Sequence, residues 1–267
     1  MSWPWPIHLD NGVVSASYVR SGVTYRRQVF ASRPDDVIVL HLGQDGGGRY
    51  TGTITLEGTH GETGGTAESF AGSFANGLEY GAAVKAYGSG GSVRVSGSHI
   101  TFADCRELTV VLSGGTNYAP DAAAGYRAPS VNPVALARTK VRAAAQHSAD
   151  ALLRTHAADH RALFGQFDLT LGTSTAEQRE LDTWARVQAR AATGDPDPEL
   201  EAAYAQFGRY LMVAGSRDSL PMGLQGLWLD GNDPDWMGDY HTDISTLVTG
   251  RSTTLIGGLL STTLIRR

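Results

Sequence analysis

The sequence predicts an α+β multidomain chain, with an antiparallel β-sandwich first and helices after it. Short strand-like runs recur over residues 12–114 at roughly the 8–12-residue spacing of sandwiches, separated by glycine-rich turns. From about residue 134 the apolar pattern changes to helical periods bounded by capping residues. Glycine, 33 residues in all, is concentrated in the first half, where such turns are needed.

Val13–Val19 reads as a strand, Ser21-Gly22 as a turn, and Val23–Phe30 as the returning strand of a hairpin. Arg33-Pro34-Asp35-Asp36 is a turn. Val37–Leu42 is apolar enough to be a central strand, and further strands are expected near Thr51–Leu56, Leu78–Tyr87, Ser92–Val95 and Leu108–Leu112. The Gly88–Gly91 run reads as a hairpin turn. After a loop over 115–132, helices are expected from Val134 to about His147 and from Ser148 to Phe164, then a short strand at Phe167–Leu171. Thr175 and Gln178 form a capping box for a helix reaching about Thr193. Asp197 caps another, with Pro198 at its first position and Leu200, Tyr204, Phe207 and Leu211 along one stripe.

Net charge is −5 with no basic stretch, which argues against a nucleic-acid partner. No run reaches the ~18 apolar residues that span a bilayer, so no membrane association is expected. The N-terminus has no signal-peptide pattern, so the chain as written is expected in the cytoplasm, although full-length relatives can be secreted. The single Cys105 reads as a small core residue. His156 and His160 are four apart on a helix, but no glutamate follows His156 and no third ligand is evident, so a packed pair is expected rather than a metal site. Composition says nothing about oligomeric state.

Two Trp, a Tyr, a Gln, a His and several carboxylates fall in a glycine-rich stretch from Ser219 to Ile244. Sugar sites need this mixture, because aromatic faces stack on a pyranose while amides, carboxylates and imidazoles bond its hydroxyls. Read bottom-up, the same residues could equally be core aromatics and loop turn formers. In an extended segment His241, Asp243 and Ser245 face one side.

The run Phe207-Gly208-Arg209-Tyr210-Leu211, then Leu224-Gln225-Gly226-Leu227-Trp228, then Asp239-Tyr240-His241-Thr242-Asp243-Ile244 resembles the start of the catalytic domain of glycoside hydrolase family 95, the α-L-fucosidases. Gly22–Ser32 with Pro34–Val37 resembles that family's N-terminal β-domain, and His156–Phe164 its linker helix. The resemblance implies a β-supersandwich, a helical linker and the first helices of an incomplete (α/α)6 barrel. It divides the chain into 1–118, the β-supersandwich without its first strands; 119–172, the linker; 173–244, the start of the catalytic domain; and 245–267, an atypical tail. It implies inverting hydrolysis of α-L-fucosyl linkages in a fucosylated oligosaccharide or glycan, with no cofactor and no metal, by a chain expected to be an inactive fragment.

By that resemblance His241 contacts a substrate hydroxyl, and Asp243 and Ser245 stand where the family has two water-activating asparagines. A carboxylate at 243 can accept the water proton directly; Ser245 is a departure. Gln225, Trp228, Trp236 and Tyr240 are assigned to the site wall. The alternatives are a non-catalytic carbohydrate-binding β-module, an L-galactosidase or a glycoside phosphorylase. From Ser245 onward the resemblance stops, and Ser252–Ile256 recurs as Ser261–Ile265. That tail is expected to be unstructured or out-of-frame sequence, with a short strand pair as the other reading.

Overall fold

The computed structural model describes residues 6–62 and 65–217, together with Asp233 and Trp236. They fall into two compact units that divide after Asp159. The fold is α+β: antiparallel β-sheets followed by five helices among the described residues.

The first unit contains β1 (Ile7–His8), β2 (Val13–Arg20), β3 (Val23–Ser32), β4 (Val37–Gln44), β5 (Tyr50–Ile54), β6 (Ser69–Ser73), β7 (Glu79–Ser89), β8 (Ser92–Ser96), β9 (His99–Cys105) and β10 (Glu107–Thr116). Seven of them form one sheet in the order β1-β2-β3-β4-β10-β7-β6, and β5-β9-β8 form a second. The hairpin expected around Ser21-Gly22 is β2–β3, with Tyr18 opposite Tyr25. Both turn residues have left-handed backbones, φ 51° and 75°, as a two-residue hairpin with the twist of its strands requires. β4 is central, flanked by β3 and β10.

Alternation along β4 and β10 divides two cores. Val37 and Val39 of β4 and Val111 of β10 pack with Phe30, Ala83 and Leu152 on one face. Leu40 and Leu42 of β4, with Leu108 and Val110 of β10, pack against Ile54, Ile100 and Phe102 of the smaller sheet on the other. The expected sandwich is therefore present, with a helical layer on its far side. Val39 and Val111 have no exposed surface, and each such side chain contributes on the order of 2 kcal/mol. Cys105 is fully buried, in agreement with its reading as a core residue.

The helical layer begins with α1 (Pro133–Ala144). Asn132 caps it, accepting from Ala135 N at 2.9 Å. Pro133, Ala137, Val141 and Ala144 are its buried stripe. α2 (Ala149–Phe164) follows, started by Ser148, whose hydroxyl accepts from Ala151 N at 3.2 Å.

The structure departs from the sequence reading at several places. β7 and β8 are not a hairpin pair: β7 lies between β10 and β6, and β8 pairs only with β9. The turn at Gly90-Gly91 therefore carries the chain from one sheet to the other. Phe167–Leu171 is irregular rather than a strand; Asp168 Oδ1 takes the Leu169 amide at 3.0 Å, satisfying locally a donor that a ladder would use. The helix expected over 175–193 is two, α3 (Ala176–Glu180) and α4 (Thr183–Thr193). The break falls where Asp182 stops being helical and caps α4 through Ala185 N at 2.8 Å. The stripe on α5 (Pro198–Gly215) is not a buried one: Tyr204 is 80% and Phe207 40% exposed.

Candidate active site

Gln225, Trp228, Tyr240, His241, Asp243 and Ser245, and the tail 245–267, lie outside the described residues. Of the expected site residues only Trp236 is described: it is 71% exposed, and its backbone is left-handed at φ 57°. The second unit shows what precedes that segment.

α3, α4 and α5 are tied together by arginine–carboxylate pairs on the first turn of α5. Asp197, the α5 cap, is 2% exposed and accepts Arg186 Nη2 at 2.6 Å and Nε at 2.9 Å. Ser174 donates to the same carboxylate at 2.5 Å. The Arg186 bond, more than the opposing cost of burial, holds the Asp197 carboxyl far below the ordinary carboxylate range, with help from Ser174 and the Leu200 amide. Arg179 grips Glu199 with Nη2 at 2.6 Å and lowers its pKa as well. Arg190 Nε meets Glu201 at 3.0 Å. The position suits anions, since three acidic groups sit at the positive end of a helix.

This arrangement has a chemical consequence. A general acid needs a carboxyl that holds its proton near neutral pH. The pKa of both Asp197 and Glu199 is shifted the other way, downward, and their arginine pairs fasten the helices together. The capping box of Thr175 and Gln178 is formed as expected, with both reciprocal bonds present. Among the described residues, no group of three or more His, Cys, Asp or Glu could hold a metal ion. No described helix is long and apolar enough to cross a membrane.

The Phe-Gly-Arg-Tyr-Leu run lies within α5. Arg209 donates through Nη2 to Leu163 O at 2.6 Å, which also accepts from Gln166 N at 3.3 Å, and through Nη1 to Phe164 O, so it caps the end of α2. Its guanidinium also lies over the rings of Phe164 and Phe167, at 5.1 and 5.7 Å. Burial lowers its pKa. This capping role was not read from the sequence, where Arg209 served only as part of a motif. The histidine pair of α2 is packed, as expected. His156 stacks on Phe30 at 4.9 Å and is 5% exposed; His160 stacks on Phe164 at 5.4 Å.

Comparison with known proteins agrees with this order of parts. The family model described as glycosyl hydrolase family 65, N-terminal domain, matches residues 7–121. The glycosyl hydrolase family 95 catalytic domain matches residues 148–248, a range that includes every expected site residue. "Probable alpha-fucosidase A" of Aspergillus niger is 29% identical over 256 residues, covering 90% of this chain and 32% of the relative. "Alpha-L-fucosidase 2" of Arabidopsis thaliana is 24% identical over 271 residues, with the same two coverages. Among solved structures, a "Putative kojibiose phosphorylase from human microbiome" matches with a TM-score of 0.40 and 10% identity, over 62% of this chain and 25% of that one. The chain thus spans about a third of the length of the curated relatives it matches. The β-domain match, the catalytic-domain match that follows it and the relatives that run through both lead to one reading: over residues 148–248 the chain is similar to the glycosyl hydrolase family 95 catalytic domain, and over 90% of its length to proteins described as α-fucosidases.

Proposed function

We propose that this chain is part of an α-L-fucosidase that hydrolyses α-L-fucosyl linkages in glycans with inversion. The observation that carries the reading is the catalytic-domain match over residues 148–248, which contains the His241-x-Asp243-x-Ser245 element. On this reading 1–118 is the β-domain, 119–172 the linker and 173–244 the beginning of the catalytic domain. His241 holds a substrate hydroxyl. Asp243 accepts the proton of the attacking water, and Ser245 orients that water. Gln225, Trp228, Trp236 and Tyr240 wall the sugar.

An inverting site places its acid and base roughly 6.5–9.5 Å apart on opposite sides of the scissile bond. Asp243 serves the water side. The acid is assigned to the length that the relatives have beyond this chain, so hydrolysis is expected to need that length. The test is fucose release from a 2′-fucosylated oligosaccharide by a protein extended to the relatives' length. Release supports the reading. A folded, extended protein that leaves the fucosyl linkage intact overturns it.

A further inference from the structure

The loop between β10 and α1 holds two tyrosines in an unusual way. Tyr118 and Tyr126 are 40% and 54% exposed, and their rings lie parallel to within 2° with centroids 6.4 Å apart. Tyr126 has a left-handed backbone, φ 59°. A bulky residue there is strained and persists only where its surroundings enforce it. The enforcement is visible: Ala119 N donates to Tyr126 O at 3.0 Å, Tyr126 N to Asp121 O at 2.8 Å, and Ala128 N to Asn117 O at 2.8 Å. Asp121 Oδ1 takes the Ala123 and Ala124 amides at 2.9 and 3.3 Å. A rigid loop thus spends strain on presenting a ring that buries little in the fold.

Arg127 lies beside this pair. Its Nη1 donates to Asn76 O at 2.7 Å, and among the described residues Nε and Nη2 have no hydrogen-bond partner. The guanidinium fits between Gly77 and Gly125, both left-handed, and a side chain at Gly77 would meet it. The remaining Nε–Nη2 fork suits a pair of adjacent oxygens. Two tyrosines at these exposures offer on the order of 200 Å². That is far short of the ~800 Å² a stable protein partner covers, and close to what one or two sugar rings need.

We propose that Tyr118, Tyr126 and Arg127, in the loop between β10 and α1, form a carbohydrate-binding platform. The rings stack on the C–H face of a pyranose and the arginine fork donates to vicinal hydroxyls. The proposal rests on the fucosidase reading only for the choice of probe.

The experiment is saturation-transfer NMR on the whole 267-residue chain with 2′-fucosyllactose and with lactose. Transfer to sugar ring protons is expected from at least one of them. Tyr126→Gly removes the ring yet suits the left-handed backbone, so its melting temperature should hold or rise while affinity falls at least about tenfold. Arg127→Gln should weaken binding too. Should Tyr126→Gly fail to fold, Tyr118→Ala decides in the same way. No transfer from either sugar to the wild-type chain overturns the proposal. So does binding that survives Tyr126→Gly or Tyr118→Ala. Loss of hydrolysis in the extended protein bears on the fucosidase reading alone.

Discussion

Arg186 and Asp197 form a two-pronged ion pair, Nη2 to Oδ1 at 2.6 Å and Nε to Oδ2 at 2.9 Å, that joins the middle of α4 to the first turn of α5. Asp197 is buried and also caps α5, accepting from Leu200 N. Asp197→Ala strands the Arg186 charge and removes the cap, at a cost on the order of 3 kcal/mol. Arg186→Lys keeps the charge but not the fork and should cost less. Chemical denaturation of the three proteins checks the order. The pair also sets a pH dependence. A carboxyl whose pKa is lowered by folding stabilises above its unfolded value, 3.8, and that stability is lost as pH falls through the folded value.

His41 gives the opposite end of the acid range. Its Nδ1 lies 3.1 Å from Thr109 Oγ1 on the helix-facing side of the sheet. Burial lowers its pKa from 6.5, against the opposing pull of Glu107 and Asp150. The unfolded chain therefore takes up the proton first, so stability is full above 6.5 and declines as pH drops below it. Urea midpoints at about pH 7.5 and about pH 5.5 should differ, and His41→Gln should shrink the difference.

Gly91 marks the crossing between sheets. A Cβ there would press on backbone, coming within 2.4 Å of the Asp104 carbonyl carbon and 2.5 Å of Cys105 N. Neither atom can swing aside. Gly91→Ala should destabilise the β-domain by about 1–3 kcal/mol, measured by thermal melting. Gly97→Ala, with open space around it but a left-handed φ of 62°, should cost less.

Much of this architecture is legible in the residues. The β2–β3 hairpin, the central β4, the Arg33–Asp36 turn and the caps at Thr175 and Asp197 follow from local chemistry alone. β6 and β9 were missed. Ser69-Phe70-Ala71-Gly72-Ser73 has a single large apolar residue among small ones and lies at a sheet edge, so its sequence shows no apolar alternation. His99–Cys105 gives Ile100, Phe102 and Cys105 to the interior and otherwise carries the polar signature of a loop. The Gly90-Gly91 turn has the composition of a hairpin, and only the pairing of β8 with β9 shows that it joins two sheets. The site is a different case. His241, Asp243 and Ser245 are proposed from family resemblance; their bare spacing says only that in an extended segment three side chains would share a face. Nothing in the local sequence announced that Arg209 caps α2, because its carbonyl partners lie 45 and 46 residues away.

The most direct measurement concerns Asp243 in a protein extended to the relatives' length, with an aryl α-L-fucoside as substrate and NMR detection of the first-formed anomer. The account predicts that the extended protein releases β-fucose first, that Asp243→Ala slows release by about 10²–10⁴-fold, and that the 267-residue chain alone turns over negligibly. Release of α-fucose first, an Asp243→Ala protein as fast as its parent, or ordinary glycosidase turnover by the 267-residue chain would contradict it.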